Sequence, residues 1–293
     1  MKAFRYFASH WFETLRDRRF KLAKPSDLND PFDCVIGYKG KPTRAFVLSG
    51  AKELLEEQEK QELAAGKAPA DVDKVHEERL RQLINRMRTE MIDYTSRLAQ
   101  SKKGADKIVR LLCMSAVTKG GERSLKHKLS EILMWSHYAK NHAGVRIGID
   151  LTRFNCVKTD VLTVQYSNKR PLCKLDVGLT PDADEFVRAV VSTKSKVWNY
   201  ENEIRLWPDA RLCVPEQQSN GDVWHYLPFK PESVFRVDFG LNMNEREQDA
   251  CWALLVRDYP AAAVYKARYH RHMYSLEYEL LSSPKQEVLH GLP

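Results

Sequence analysis

Apolar side chains return at two different periods along this chain, and the change of period constrains its fold class more than any other feature. Val72, Val75, Leu80, Leu83, Met87, Met91, Tyr94 and Leu98 recur mostly three or four residues apart, the spacing of an amphipathic helix. Gly66, Pro69 and Asp71 interrupt this region. Asp71 suits an N-cap, so the pattern predicts helices over about 49–65 and 71–100. From residue 111 onward the runs shorten and alternate. Leu111–Val117, Ala143–Ile149, Val161–Tyr166, Glu203–Trp207, Ser233–Phe239, Val264–Arg268 and Tyr274–Leu281 read as strands. Helices are expected at Ser130–Asn141, with Ser130 a candidate cap, and at Asp182–Lys194. Another runs from Asn244 to about Arg257, where Asn244 and Glu247 have capping-box spacing. At the N-terminus, Ala3–Phe7 reads as a strand. A helix with Phe12, Leu15 and Arg16 on one side follows, then a strand at Phe20–Ala23. Pro25–Asp27 and Asn29–Pro31 are turn chemistry. Strands surrounding isolated helices fit an α+β fold better than a regular βαβ series. The chain is expected to form one α+β domain over 1–293, with 48–110 a helical insertion packed on the core. A lid or partner-binding element is the alternative for that insertion.

The 293 residues suffice to bury a core without staples. Ordinary apolar and charged fractions of 43% and 29% exclude wholesale disorder. A net charge of +8 favours partners carrying phosphate: nucleic acid, nucleotides or an anionic surface. A generic solvated basic surface is the plainer alternative. Six cysteines at wide, irregular spacing suggest neither a zinc knuckle nor a disulfide framework. Reduced thiols in the cytoplasm are the simple expectation. The N-terminus has no apolar signal segment and no apolar run approaches membrane-spanning length, so neither export nor a membrane partner is expected. The chain also lacks a phosphate-binding P-loop, a Gly-x-Gly-x-x-Gly turn and a Gly-x-Ser-x-Gly elbow.

Four stretches carry candidate chemistry. In Lys194–Trp207, an extended second half would turn Glu201, Glu203 and Arg205 to one face. Two carboxylates roughly 7 Å apart along a strand suit divided labour. One stabilises positive charge and the other orients or deprotonates a nucleophile. The plainer alternative is an exposed ion-paired strand face. In Leu133–His142, His137 and Asn141 would share a helix face, with His137 available for acid–base work and Trp135 and Tyr138 supplying aromatic surface. A structural histidine at a helix end is the alternative. Asn29, Asp30 and Asp33 lie in Leu22–Asp33, where turn-forming side chains commonly bind their own backbone. Arg5, beside Tyr6 in an aromatic strand, could anchor phosphate or carboxylate; a snorkelling surface arginine is the alternative.

Pro25–Asp33, Cys113-Met114-Ser115, Trp135–Val145 and Lys194–Arg205, in that order, resemble a bacterial family of unknown function. Its phrases include N-D-P-F-D, W-S-H-Y-A and W-x-Y-E-x-E-x-R. The resemblance runs from about residue 3 to 281, apart from 48–110, and the order of parts is similar to an ADP-ribosyltransferase core. It implies a mixed or antiparallel β core and NAD as the substrate. Arg5 would then hold the NAD phosphates, Ser115 would hold the site together, Glu203 would be the catalytic glutamate, and Glu201 would orient the acceptor. Tyr6, Asn29, Asp30, Trp135, Tyr138, Trp198, Tyr200 and Arg205 are the further expected NAD-binding residues, and His137 completes the catalytic set. Met114-Ser115-Ala116 departs from the Ser-Thr-Ser common in such cores. The implied role is a bacterial toxin or defence effector with an RNA, DNA or protein acceptor, and with a regulatory or antitoxin partner at 48–110. A metal-dependent nuclease using Asp30, Asp33, Glu201 and Glu203, with Lys194 or Lys196 nearby, is the first alternative. A non-catalytic basic binding protein is the second.

Overall fold

The computed structural model of the protein describes residues 1–39, 44–66, 76–90, 102–117, 125–154, 159–174 and 183–281. Its helices include α1 (Trp11–Asp17), α2 (Arg44–Ala64), α3 (His76–Glu90), α4 (Leu125–Tyr138), α5 (Ala183–Val191) and α6 (Glu245–Asp258). The strands of its main sheet are β1 (Lys2–Phe7), β2 (Leu112–Ala116), β3 (Val145–Asp150), β4 (Thr159–Thr163), β5 (Glu203–Pro208), β6 (Val234–Phe239), β7 (Ala263–Tyr269) and β8 (Leu276–Leu280). Both helices and a large mixed sheet are present, an α+β arrangement. The chain divides into two compact units.

The first unit comprises Met1–Asp27, Val109–Tyr166 and the described residues from Ser195 on. It holds the eight-stranded sheet in the order β8-β7-β6-β3-β1-β2-β5-β4. Neighbours are antiparallel except β6 and β7, which run parallel with α6 as the crossover between them. Alternation gives the sheet two unlike faces. One carries Ala3, Phe7, Leu112, Met114, Ile147, Ile204 and Leu206, which join Trp11 and Leu15 of α1 and Leu254 and Leu255 of α6 in the main core. The other carries Phe4, Tyr6, Cys113, Ser115, Arg146, Glu203, Arg205 and Asp238, in register across the strands. There Trp135 of α4 and Ala139, just past its end, are buried against Ala267 and Leu276. A three-stranded sheet of Val214–Gln217, Val223–Pro228 and Arg19–Lys21 completes the unit.

The second unit comprises the described residues of Leu28–Ile108 and Ser167–Lys194. Helices α2 and α3 are tied by His76 Nδ1 at 2.7 Å from Glu59 Oε1 and by Arg79 to Glu62 at 2.7 Å. Gly37–Lys39 and Leu172–Lys174 form a short parallel pair.

Several boundaries differ from the sequence reading. Helix α4 starts at Leu125, so Ser130 lies within it rather than capping it. It stops at Tyr138, because Lys140, Asn141 and His142 all have positive φ, the left-handed region that ends a right-handed helix. His137 and Asn141 therefore share no helix face. Helix α5 ends at Val191 because Thr193–Ser195 is extended. Val161–Tyr166 is divided between β4 and a second strand, Gln165–Ser167. In α1 the buried side is Trp11, Thr14 and Leu15, while Arg16 is exposed and bonded to Asp17. The capping prediction at Asn244 matches the bond from the Glu247 N–H to Asn244 Oδ1 at 2.8 Å. Asp71, Val72, Val75, Met91, Tyr94 and Leu98 lie outside the described residues. Among the described residues no helix is long and apolar enough to cross a membrane.

Candidate active site

The polar face of the main sheet carries Ser115, Glu203 and Arg205 among the candidate residues of the first unit. Ser115 on β2 lies directly opposite Glu203 on β5, and Cys113 opposite Arg205. On the other side of β2, Phe4 of β1 lies opposite Ser115, which puts Arg5 one residue further along.

Glu203 is only 5% exposed and Arg205 is fully buried. Arg205 donates through Nε to Glu203 Oε1 at 2.8 Å and through Nη2 to Oε2 at 3.1 Å. This two-point, charge-assisted pair fixes both the plane and the charge of the carboxylate. The Cys113 thiol hydrogen-bonds the same carboxylate. Burial, and then the Glu203 charge, hold that thiol well above its ordinary range, so it stays a donor. The Glu203 N–H donates to Tyr166 Oη at 2.8 Å.

Arg5 leaves β1 on the side of Ala3 and Phe7, and its guanidinium lies 5.6 Å from the Phe7 ring centre. It turns back to donate from Nη1 to the Cys113 carbonyl at 2.6 Å. The β1–β2 ladder is registered only at Ala3 and Phe4, so the Arg5 side chain takes over where backbone pairing stops. Burial lowers its pKa from the ordinary arginine value, and the Glu203 charge opposes that shift.

Glu201 is not on the strand. Residues Lys196–Glu201 form a 3₁₀ helix, and Asn202 follows in the left-handed region at φ 45° and ψ 51°. That rotation breaks the alternation, so only Glu203 and Arg205 share the face expected for all three. The buried Glu201 carboxylate instead accepts a hydrogen bond from Tyr138 Oη at the end of α4. Its backbone carbonyl accepts from Ser115 Oγ at 2.7 Å. Asn202 Nδ2 donates to the Ala116 carbonyl at 2.7 Å. The two carboxylates thus stand on either side of a turn pinned to the end of β2.

His137 is exposed, with Nδ1 2.8 Å from Tyr200 Oη. Its ring centre lies 6.4 Å from Trp198 and 6.0 Å from Tyr200. These three rings form a half-exposed aromatic rim beside the turn that holds Glu201.

Other expected residues lie elsewhere. Trp135 is fully buried and donates from Nε1 to Tyr278 Oη at 2.8 Å, so no ligand can stack on it. Tyr6 packs edge-on against Trp135 at 5.4 Å and accepts from Arg146 at 3.2 Å. Both belong to a second buried cluster. Arg146 there binds Glu131 at 2.5 Å and Asp238 at 2.7 Å, with the rings of Phe4 and Tyr278 at 4.2 and 4.5 Å. Arg205 is taken up by Glu203 and offers no exposed atom for a ligand. Asn29 and Asp30 belong to the second unit. Asp30 Oδ1 accepts from the Phe32 N–H at 2.9 Å, the local turn bond anticipated for such a sequence. In the same unit the Asp33 carboxylate stands 3.8 Å from Lys194 Nζ. Among the described residues no three His, Cys, Asp or Glu side chains gather as a metal site.

Sequence reasoning missed Cys113, Tyr166 and Asn202 as supports of Glu203. Only Cys113 carried a usable signal, being two residues from Ser115 on a strand and hence on its face. The Arg146 cluster had none, since its members are scattered from Phe4 to Tyr278.

Residues 134–206 match the model of a family described as a protein of unknown function, DUF2971. That stretch takes in the end of α4, the 3₁₀ helix and most of β5, and so includes Tyr138, Glu201 and Glu203. No curated protein matches the chain. No solved structure does either.

Proposed function

We propose that the protein is an NAD-consuming ADP-ribosyltransferase, acting as a bacterial toxin or defence effector. One observation carries this reading: Arg5, Ser115 and Glu203 lie on three neighbouring strands, β1, β2 and β5, with Ser115 opposite Glu203 on the polar face and Arg5, which leaves β1 on the other face, turned back to the Cys113 carbonyl of β2. The resemblance drawn from the sequence requires an arginine, a serine and a glutamate on three such strands.

In the reaction the bond between the ribose C1′ and the nicotinamide nitrogen breaks. Nicotinamide leaves with the bonding pair, which neutralises its ring charge. The ribose develops an oxocarbenium-like cation, and an acceptor oxygen or nitrogen bonds to C1′ and gives up its proton. Glu203 supplies fixed negative charge beneath that ribose and accepts from its 2′-hydroxyl. Arg205 keeps the carboxylate ionised and oriented, so little reorganisation is needed at the transition state. Arg5 has five N–H donors, of which the Cys113 carbonyl takes one; its fork suits a phosphate oxygen. Glu201, set by Tyr138, receives the acceptor proton. Ser115 acts on the Glu201 backbone and so positions the turn. Trp198 and Tyr200 offer ring faces to nicotinamide or adenine. A net charge of +8 favours an anionic acceptor such as nucleic acid.

The test is nicotinamide release and label transfer from NAD, with RNA, DNA and protein offered to the folded chain. Wild-type protein is expected to turn over. Glu203→Gln, shown to be folded by circular dichroism, is expected to lose about 100-fold or more. Glu201→Gln is expected to lose transfer while keeping part of the nicotinamide release. Absence of both products with folded wild-type protein overturns the reading.

A further inference from the structure

The hairpin joining β7 to β8 carries Arg268-Tyr-His-Arg-His-Met-Tyr274, a run that the proposed chemistry does not use. Tyr269 is 77% exposed and Tyr274 is 91% exposed. Large aromatic side chains are seldom left so open without a partner. Met273 is exposed between them, as are Arg271 and His272.

The tip is ordered from within. The His270 N–H donates to the Ser275 carbonyl at 3.0 Å, and the Ser275 N–H donates to Met273 at 2.8 Å. His270 Nδ1 accepts from the backbone N–H groups of both His272 and Met273 at 3.1 Å. An accepting Nδ1 places the ring proton on Nε2, which points at Glu277 from 3.5 Å. Arg268 is paired with Glu279 at 2.7 Å. The acidic groups of β8 are therefore occupied by Arg268 and His270. Among the described residues the side chains of Tyr269, Arg271, His272 and Tyr274 make no hydrogen bond, ion pair or ring contact. The loop is thus fixed while its two rings and one permanent cation project outward. Binding through it would forfeit little loop entropy.

We infer that this hairpin tip binds single-stranded nucleic acid. Two open tyrosine faces flanking an unpaired arginine match what an unpaired strand offers: bases with π-faces that stack on aromatic rings, joined by phosphates that attract a cation. The chain's net charge of +8 adds a general attraction of the same sign. A duplex hides its base faces and does not fit. A membrane surface fits poorly, since Met273 is the tip's only aliphatic group. The inference does not depend on NAD chemistry, because its readout is binding.

The full chain is titrated into a fluorescently labelled single strand of about twelve nucleotides, as RNA and as DNA, and into the matching duplex. Anisotropy is read at low and raised salt. The wild type is expected to prefer the single strand and to weaken as salt rises. Tyr269→Ala with Tyr274→Ala is expected to lose about ten-fold or more, whereas the double Phe variant keeps its affinity. Arg271→Ala is expected to weaken binding and to flatten the salt dependence. An affinity unchanged in the double Ala variant, equal affinity for the duplex, or no binding to either strand overturns the inference. So does binding to anionic phosphatidylserine vesicles that the double Ala variant abolishes while oligonucleotide binding is absent.

Discussion

Arg205 has no exposed surface, and a buried guanidinium persists only with a partner that satisfies it. Glu203 is that partner, at 2.8 and 3.1 Å. Removing either group alone leaves a buried charge uncompensated. Arg205→Met and Glu203→Leu are each expected to cost about 3–5 kcal/mol in urea unfolding. The double variant should recover a large part of this, because the charge left behind is then gone. Additive losses would show that the pair is not coupled. Histidines set a second residue-level expectation. Burial lowers the pKa of His142, and burial with the Arg110 charge lowers that of His225. The folded chain therefore binds fewer protons at these rings than the unfolded chain does. Their contribution is intact above about pH 6.5 and falls as the pH drops from there towards the lower folded values. His142→Asn keeps a residue that tolerates the left-handed backbone at this position. It is expected to flatten the decline in unfolding free energy between about pH 7 and 5. An unchanged slope would exclude His142 as a source.

Element boundaries show how far local chemistry was legible. Strands β1, β2, β3, β5, β6 and β7 were readable because each alternates or carries a dense apolar run beside clear turn residues. Glu203 and Arg205 were paired on one face by the same rule, and the structure places them so. Glu201 was misassigned because nothing in Trp-Asn-Tyr-Glu-Asn-Glu announces that Asn202 adopts φ 45°. A single left-handed residue undoes an alternation argument. The end of α4 was missed for a similar reason, since three successive residues there have positive φ without a glycine among them. What enforces that turn is the glycine after it. A Cβ on Gly144 would stand 1.9 Å from the Phe7 carbonyl oxygen, and one on Gly240 would stand 2.2 Å from that of His142. Both obstacles are backbone and cannot swing aside. Gly144→Ala is thus expected to cost at least about 3 kcal/mol in urea unfolding. Gly104, in helical backbone with nothing within 4 Å of an added Cβ, is the control. There alanine should stabilise by up to about 1 kcal/mol. Equal effects at the two sites would remove the steric explanation.

At the scale of the molecule, the α+β class followed from the change of hydrophobic period, but the strand order did not. Neighbours in the main sheet include β1 beside both β2 and β3, and β2 beside β5. These partners lie many residues apart, and no local pattern encodes which distant strands pair. The four short strands at Gly37–Lys39, Leu172–Lys174, Val214–Gln217 and Val223–Pro228 were not anticipated, because three to six residues with little alternation give no periodic signal. Yet the long-range pairing is what brings Arg5, Ser115 and Glu203 to adjacent strands, so the proposed function rests on the least legible level of the structure. That level yields its own test, separate from turnover. A ligand that binds only where the three strands are assembled stabilises the folded chain by mass action. NAD, added to a Glu203→Gln chain that cannot consume it, is expected to raise the melting temperature progressively, with about 2.7 kcal/mol gained at a hundred-fold excess over its dissociation constant. Arg5→Met should abolish the rise if Arg5 holds the phosphates. A rise that persists in Arg5→Met would place the phosphates elsewhere. No rise at millimolar NAD, with a folded chain, would leave the three-strand arrangement without its ligand.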